Sequence, residues 1–107
     1  MQHAVTVIAD FKLAPGKTEQ ELIAASDQFQ QAFVNQQSGV LRRELIKTGE
    51  GCYTDIVQFR SREDAEQVMA AETTSEHCLD FFSVMDMSDM DDKVSYYPSL
   101  ATYTGTT

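Results

Sequence analysis

Apolar and polar positions alternate over residues 4–13. Val5, Val7, Ala9 and Phe11 fall on one face, and Thr6, Ile8, Asp10 and Lys12 on the other. A period of two is the signature of a β-strand, and Pro15-Gly16 ends it. The period then lengthens. Thr18, with Glu21 three residues on, forms a capping box, and Leu22, Ser26, Phe29 and Phe33 follow at helical spacing. Ser38-Gly39 supplies the stop, with Gly39 expected in the left-handed position that follows a helix. Val40 to Lys47 and Cys52 to Arg60 read as two strands of a hairpin around Thr48-Gly49-Glu50-Gly51.

A second helix opens at Ser61 with Asp64 three residues on, and Ala65, Val68 and Met69 form its stripe. Thr73-Thr74-Ser75 interrupts it, and a further helical stretch carries Cys78, Leu79, Phe81, Phe82 and Met85. Residues 86–93 are acidic and irregular. Val94 to Tyr103 reads as a last strand, placed at an edge or a bulge by Pro98. Thr104 to Thr107 is a polar tail.

The chain thus contains a half-repeat, each half a β-branched strand ending in Phe plus a base and leading into a capped helix. The order β-α-β-β-α-β specifies an α+β, ferredoxin-like sandwich, with helices on one face of a four-stranded antiparallel sheet. Ile8 and Ile56 lie opposite the Val/Phe face, and the last strand is apolar on both sides. Such strands predict that two copies pair through their sheets, burying the second face.

Composition narrows the partners. The 107 residues form one expected domain with its core at about 4–103, 42% of them apolar and 23% charged. A net charge of −9, from seventeen acids against eight bases, repels phosphate backbones and anionic bilayers, so neither nucleic acid nor membrane is expected. No apolar run approaches a membrane span, and the N-terminus does not read as a signal peptide. Cys52 and Cys78 fit reduced thiols in the cytoplasm better than a disulfide framework.

Several residues are candidates for chemistry. His77 is a candidate base or metal ligand, although Thr73 and Phe81 hold the helical positions where a second ligand would stand. Asp10 and Asp55 take corresponding places in the two half-repeats. A strand acid among apolar neighbours is either a functional base or acceptor, or one half of an ion pair with Arg42, Arg43 or Lys12. Arg43 is a candidate anchor for an anionic ligand or one partner of a cross-strand pair. The tyrosines, Tyr53 among them, suit an aromatic pocket and a dimer interface equally well. Asp86, Asp89, Asp91 and Asp92 lack the Gly and Glu of a Ca²⁺ loop, and no metal or cofactor site is expected.

Three stretches carry a family resemblance: Gly39-Val-Leu-Arg-Arg-Glu-Leu45, Asp55-Ile-Val-Gln-Phe59 and Ser61-Arg-Glu-Asp-Ala-Glu66, together with the Pro15-Gly16-Lys17 exit. They resemble the antibiotic-biosynthesis-monooxygenase-like domains of the dimeric α/β barrel superfamily. The resemblance implies a homodimeric barrel with outer helices, and a cleft for a small aromatic ligand between each sheet and its own helices. It also implies cofactor-independent oxygenation, with His77 or Asp10 as the base and Phe11, Phe59, Tyr53 and Arg43 around the ligand. The family's enzymes carry an Asn near the end of strand 1 and a Trp in or after strand 3. Here Asp10 and Phe11 fill the first place and Phe59 the second, and the chain has no Trp. The alternative implied by those replacements is a non-catalytic module that binds a small molecule or serves a stress-linked role.

Overall fold

The computed structural model describes residues 3–72, 74–86 and 94–103. Its elements are β1 (Val5–Leu13), α1 (Glu19–Ala32), β2 (Val40–Gly49), β3 (Cys52–Phe59), α2 (Arg62–Glu72), α3 (Glu76–Phe82), β4 (Met85–Asp86) and β5 (Val94–Pro98). A single 3-10 turn, Val34–Gln36, follows α1. The sheet is antiparallel with the order β2-β3-β1-β4, and β5 also pairs with β1. This is the expected ferredoxin-like α+β arrangement.

The fourth lane departs from a continuous strand. β4 pairs with Lys12 and Leu13 at one end of β1, and β5 pairs with Val5–Ala9 at the other. Met85, expected in a helix, is therefore a buried strand residue. The chain turns after Phe82, and the Val84 carbonyl accepts from the Ala14 N–H at 2.9 Å, drawing the following residues onto β1. The last strand ends at Pro98 rather than Tyr103. Beyond it, Ser99 bonds Ala4 and Thr6, and Thr102 accepts from Gln58 Nε2 at 2.8 Å, which takes the segment off the edge. Of the acidic segment 86–93, only Asp86 falls within the described residues.

Register decides which side chains meet the helices. Val5, Val7, Ala9 and Phe11 of β1 stand opposite Phe59, Val57, Asp55 and Tyr53 of β3. These eight face α1 and α2. Ile8 stands opposite Ile56 on the open face, as expected, and Asp10 opposite Thr54. Asp10 and Asp55 are thus not equivalent. Each follows the parity of its own strand, so one faces out and the other faces the helices.

The predicted helical stripes are the buried ones. Leu22, Ser26 and Phe29 of α1, and Ala65 and Val68 of α2, pack on the sheet with Phe33, Phe81 and Val84. The Thr18/Glu21 capping box is complete. At α2, Ser61 Oγ accepts from the Asp64 N–H at 3.1 Å, while the Asp64 carboxylate takes Arg60 at 2.8 Å.

Gly39 has a different reason from the one expected. Among the described residues, only Gly16 and Gly51 have positive φ. A Cβ on Gly39 would instead stand 2.6 Å from Asp64 Cβ. Gly39 is glycine because the entry to β2 passes against the first turn of α2. Gly39→Ala is expected to cost about 1–3 kcal/mol of unfolding free energy. Chemical denaturation checks this, and an unchanged midpoint would show that the contact relaxes freely.

Candidate functional site

Between the sheet and its helices lies a cavity of about 200 Å³. Val7, Ala9 and Phe11 of β1 and Asp55, Val57 and Phe59 of β3 form its floor. Phe29 of α1, Met69 and Glu72 of α2, and Phe81 and Phe82 of α3 form its roof, and Met85 and Val94 close its side. The aromatic groups are mutually packed. Phe29 stacks on Phe81 at 4.6 Å and 16°, and on Phe33 at 5.5 Å. A dry apolar cavity of about 150 Å³ is enough to hold benzene. This one has room for one ring or two fused rings.

The polar part of the wall is acidic. Asp55 and Glu72 are the ionisable side chains among the lining residues. Behind them Arg43 Nε donates to both Asp55 oxygens at 3.1 and 3.2 Å. The pair is buried, the side chains being 7% and 12% exposed. Of the two sequence readings of Asp55, the ion pair to Arg43 is the one observed.

Burial pushes the Glu72 carboxyl from its ordinary 4.5 up to about 7; the Asp55 carboxylate adds to the rise and Arg43 opposes it. Burial also raises Asp55, with Arg43 pulling it back. The one guanidinium pairs with Asp55, and among the described residues no hydrogen bond or ion pair holds the Glu72 carboxyl. A carboxyl that changes charge near neutrality inside an aromatic cleft is suited to proton transfer.

Phe11 and Phe59 line the cleft. Tyr53 stacks on Phe11 at 5.9 Å and donates from its hydroxyl to Glu19 Oε1 at 2.9 Å, so it braces the cleft from beyond its end. Arg43 stands behind the wall, its charge met by Asp55. The structure does not bring Asp10 or His77 to this site. Asp10 is exposed on the open face, where it accepts from the Thr54 hydroxyl. His77 is exposed on α3, whose inward residues are Cys78 and Phe81. Burial pushes the Cys78 thiol up to about 11, opposed by a hydrogen bond with Ser75 and reinforced by Glu72. It is a packed, inert thiol.

Glu72 was not singled out from sequence. The signal was present, because Ala65, Val68, Met69 and Glu72 continue one stripe at spacings of three, one and three. An acid on an apolar stripe is the anomaly. Among the described residues, no group of three or more His, Cys, Asp or Glu side chains is placed to hold a metal ion. No helix among them is long and apolar enough to cross a membrane.

The chain matches no family model and no curated protein. It does match solved structures over nearly its whole length. SnoaB, a cofactor-independent oxygenase from Streptomyces nogalater, is 15% identical with a TM-score of 0.67, covering 95% of this chain and 96% of its own. A Nitrosomonas europaea protein provisionally named an antibiotic biosynthesis monooxygenase is 16% identical with a TM-score of 0.64, covering 94% and 93%. Protein SO0527 from Shewanella oneidensis is 20% identical with a TM-score of 0.62, covering 92% and 93%. At these identities the likeness is one of fold. The fold is that of the antibiotic biosynthesis monooxygenases.

Proposed function

We propose that this chain binds a small aromatic compound in the helix–sheet cleft and oxygenates it without a cofactor, with Glu72 as the base. The observation that carries the reading is the unpaired Glu72 carboxyl, held near neutrality in a cavity walled by five phenylalanines. The fold shared with a cofactor-independent oxygenase supports it. Glu72 takes the role in preference to Asp10 or His77, because it alone of the three lines the cleft.

The ionised Glu72 removes a proton from a ring CH2 made acidic by a neighbouring carbonyl or phenol. The resulting carbanion passes one electron to O2, and the radical pair combines to a peroxide at that carbon. Loss of water leaves a ketone, so the CH2 group and one O2 become C=O and one H2O. The apolar walls desolvate the carbanion's neighbours and hold the ring flat, and the Glu72 carboxyl returns its proton to the departing water.

The homodimer belongs to the same reading. Ile8 and Ile56 lie side by side on the open face, and Tyr97 of the adjoining β5 is 54% exposed. Covering this face with a second copy buries them and forms the barrel. Light scattering at micromolar concentration is expected to give twice the chain's 12.0 kDa, and a monomer would contradict the pairing. Cys52 and Cys78 are free cysteines, which suits the cytoplasm.

Oxygen uptake tests the activity. The probe is 2-tetralone, a two-ring ketone whose benzylic CH2 is flanked by the carbonyl. Uptake well above the buffer rate is expected, rising with pH through about 7 as Glu72 ionises. A rate independent of pH through that range would remove Glu72 from the base role.

A further inference from the structure

The polar wall of the cleft presents two carboxyls, Asp55 and Glu72, and a single cation stands behind them. Four of the five N–H groups of that cation are engaged. Arg43 Nε holds both Asp55 oxygens, Nη1 donates to the Ser26 carbonyl and Gln30 Oε1 at 3.4 and 3.3 Å, and Nη2 donates to Ser26 Oγ at 2.8 Å. Phe29 and Phe81 cover the guanidinium, their ring centres 5.0 and 5.1 Å from Cζ. A planar fork held by four hydrogen-bonding N–H groups and packed against two rings is not free to swing across to a second carboxylate. Among the described residues, no hydrogen bond or ion pair holds the Glu72 carboxyl.

We infer that Asp55 is a positioning residue for Glu72: by occupying Arg43, it leaves Glu72 as the one carboxyl of the cleft without a counter-ion, free to face the ligand. The inference rests on Glu72 being the base. The groups that face Glu72 are Asp55 from β3, Arg43 from β2 and Cys78 from α3, whose thiol stays neutral. The local balance is therefore one positive charge against two acids. Asp55, which holds the guanidinium, is expected to ionise before Glu72, which makes no hydrogen bond to it.

Asp55→Asn separates charge from shape. The Asn carbonyl can still accept from Arg43 Nε, but the negative charge beside Glu72 is gone and the charge of Arg43 is no longer cancelled. Glu72 is then expected to lose its proton at least about one pH unit lower, a tenfold gain in acidity. NMR titration of the full chain carrying carboxyl-13C Asp and Glu reads this without reference to turnover. In the unaltered protein the Asp55 signal should move before that of Glu72 as the pH rises. In Asp55→Asn the Glu72 midpoint should fall, with the acid limb of oxygen uptake following it.

An unmoved Glu72 midpoint in the variant, or Asp55 titrating after Glu72 in the unaltered protein, overturns the inference. The order of titration needs no variant, so it decides the matter alone if Asp55→Asn does not fold. A shifted midpoint with no oxygen uptake by either protein would retain the positioning role while ending the reading of Glu72 as a base.

Discussion

Glu72→Gln is expected to abolish oxygen uptake and, at the same time, to make the protein more stable at alkaline pH. Gln keeps the size of the side chain but cannot take a proton. Loss of a positioned general base costs about 10²–10⁴ in rate. The gain in stability follows from linkage. A carboxyl raised from 4.5 to about 7 holds its proton longer in the folded protein than in the unfolded chain. Its stabilising contribution is fully present below 4.5 and is lost as the pH rises through about 7. The loss amounts to about 3 to 3.5 kcal/mol once Glu72 is fully ionised. Glu72→Gln escapes it, so its denaturation midpoint should exceed that of the unaltered protein at about pH 8 and converge with it near pH 4. Parallel midpoints at both ends would show that Glu72 titrates normally. A functional group that destabilises its own fold is a common mark of an active site.

Arg43→Ala is the other substitution with a large expected effect, on folding rather than on turnover. It leaves Asp55 buried and unpaired, frees Ser26 and Gln30, and opens a gap beside the stacked Phe29 and Phe81 rings. Breaking one side of a buried pair costs about 3–5 kcal/mol. Removing both charges together, as Arg43→Met with Asp55→Leu, should recover most of that loss, because the desolvation of two ions is also removed. Urea denaturation of the single and double variants checks the pair. A cost below about 1 kcal/mol for Arg43→Ala would be the value of a surface bridge and would contradict the burial.

The fold was legible in the sequence because its local signals agree. The period-two runs at 4–13 and 52–60, the Thr18/Glu21 capping box and the Leu22-Ser26-Phe29-Phe33 stripe each named an element that exists. What escaped depends on packing between distant elements. Gly39 reads as a helix stop from its neighbours alone, and only the approach of Asp64 shows why a side chain is excluded. The last lane reads as one strand, because nothing local to residues 83–86 shows that β1 captures two of them.

The cleft's wall was legible in the sequence, but the acid of α2 that lines it was not. Phe11 and Phe59 were expected around a ligand, and both line the cleft. Asp55 and Arg43 were expected to pair, as one of two alternatives, and they do. The similarity of the two half-repeats suggested that Asp10 is the counterpart of Asp55. Strand parity separates them, because residue 10 shares its face with Ile8 and residue 55 with Val57. Glu72 sits in the last turn of α2, where an acid reads as solvent-facing until α3 is seen to fold back beside it. The buried Cys78 of α3, sensing the charge of Glu72, is the trace of that packing.

The central claim is that a small ring enters the cleft and loses a proton to Glu72. Oxygen uptake with 2-tetralone, followed side by side for the unaltered chain, Glu72→Gln and buffer across the neutral pH range, tests it most directly. The account predicts one O2 consumed per ketone formed by the unaltered chain, a rate that climbs through about pH 7, and a Glu72→Gln rate at the buffer level. Equal rates for the two proteins, whether both fast or both at the buffer level, would contradict it.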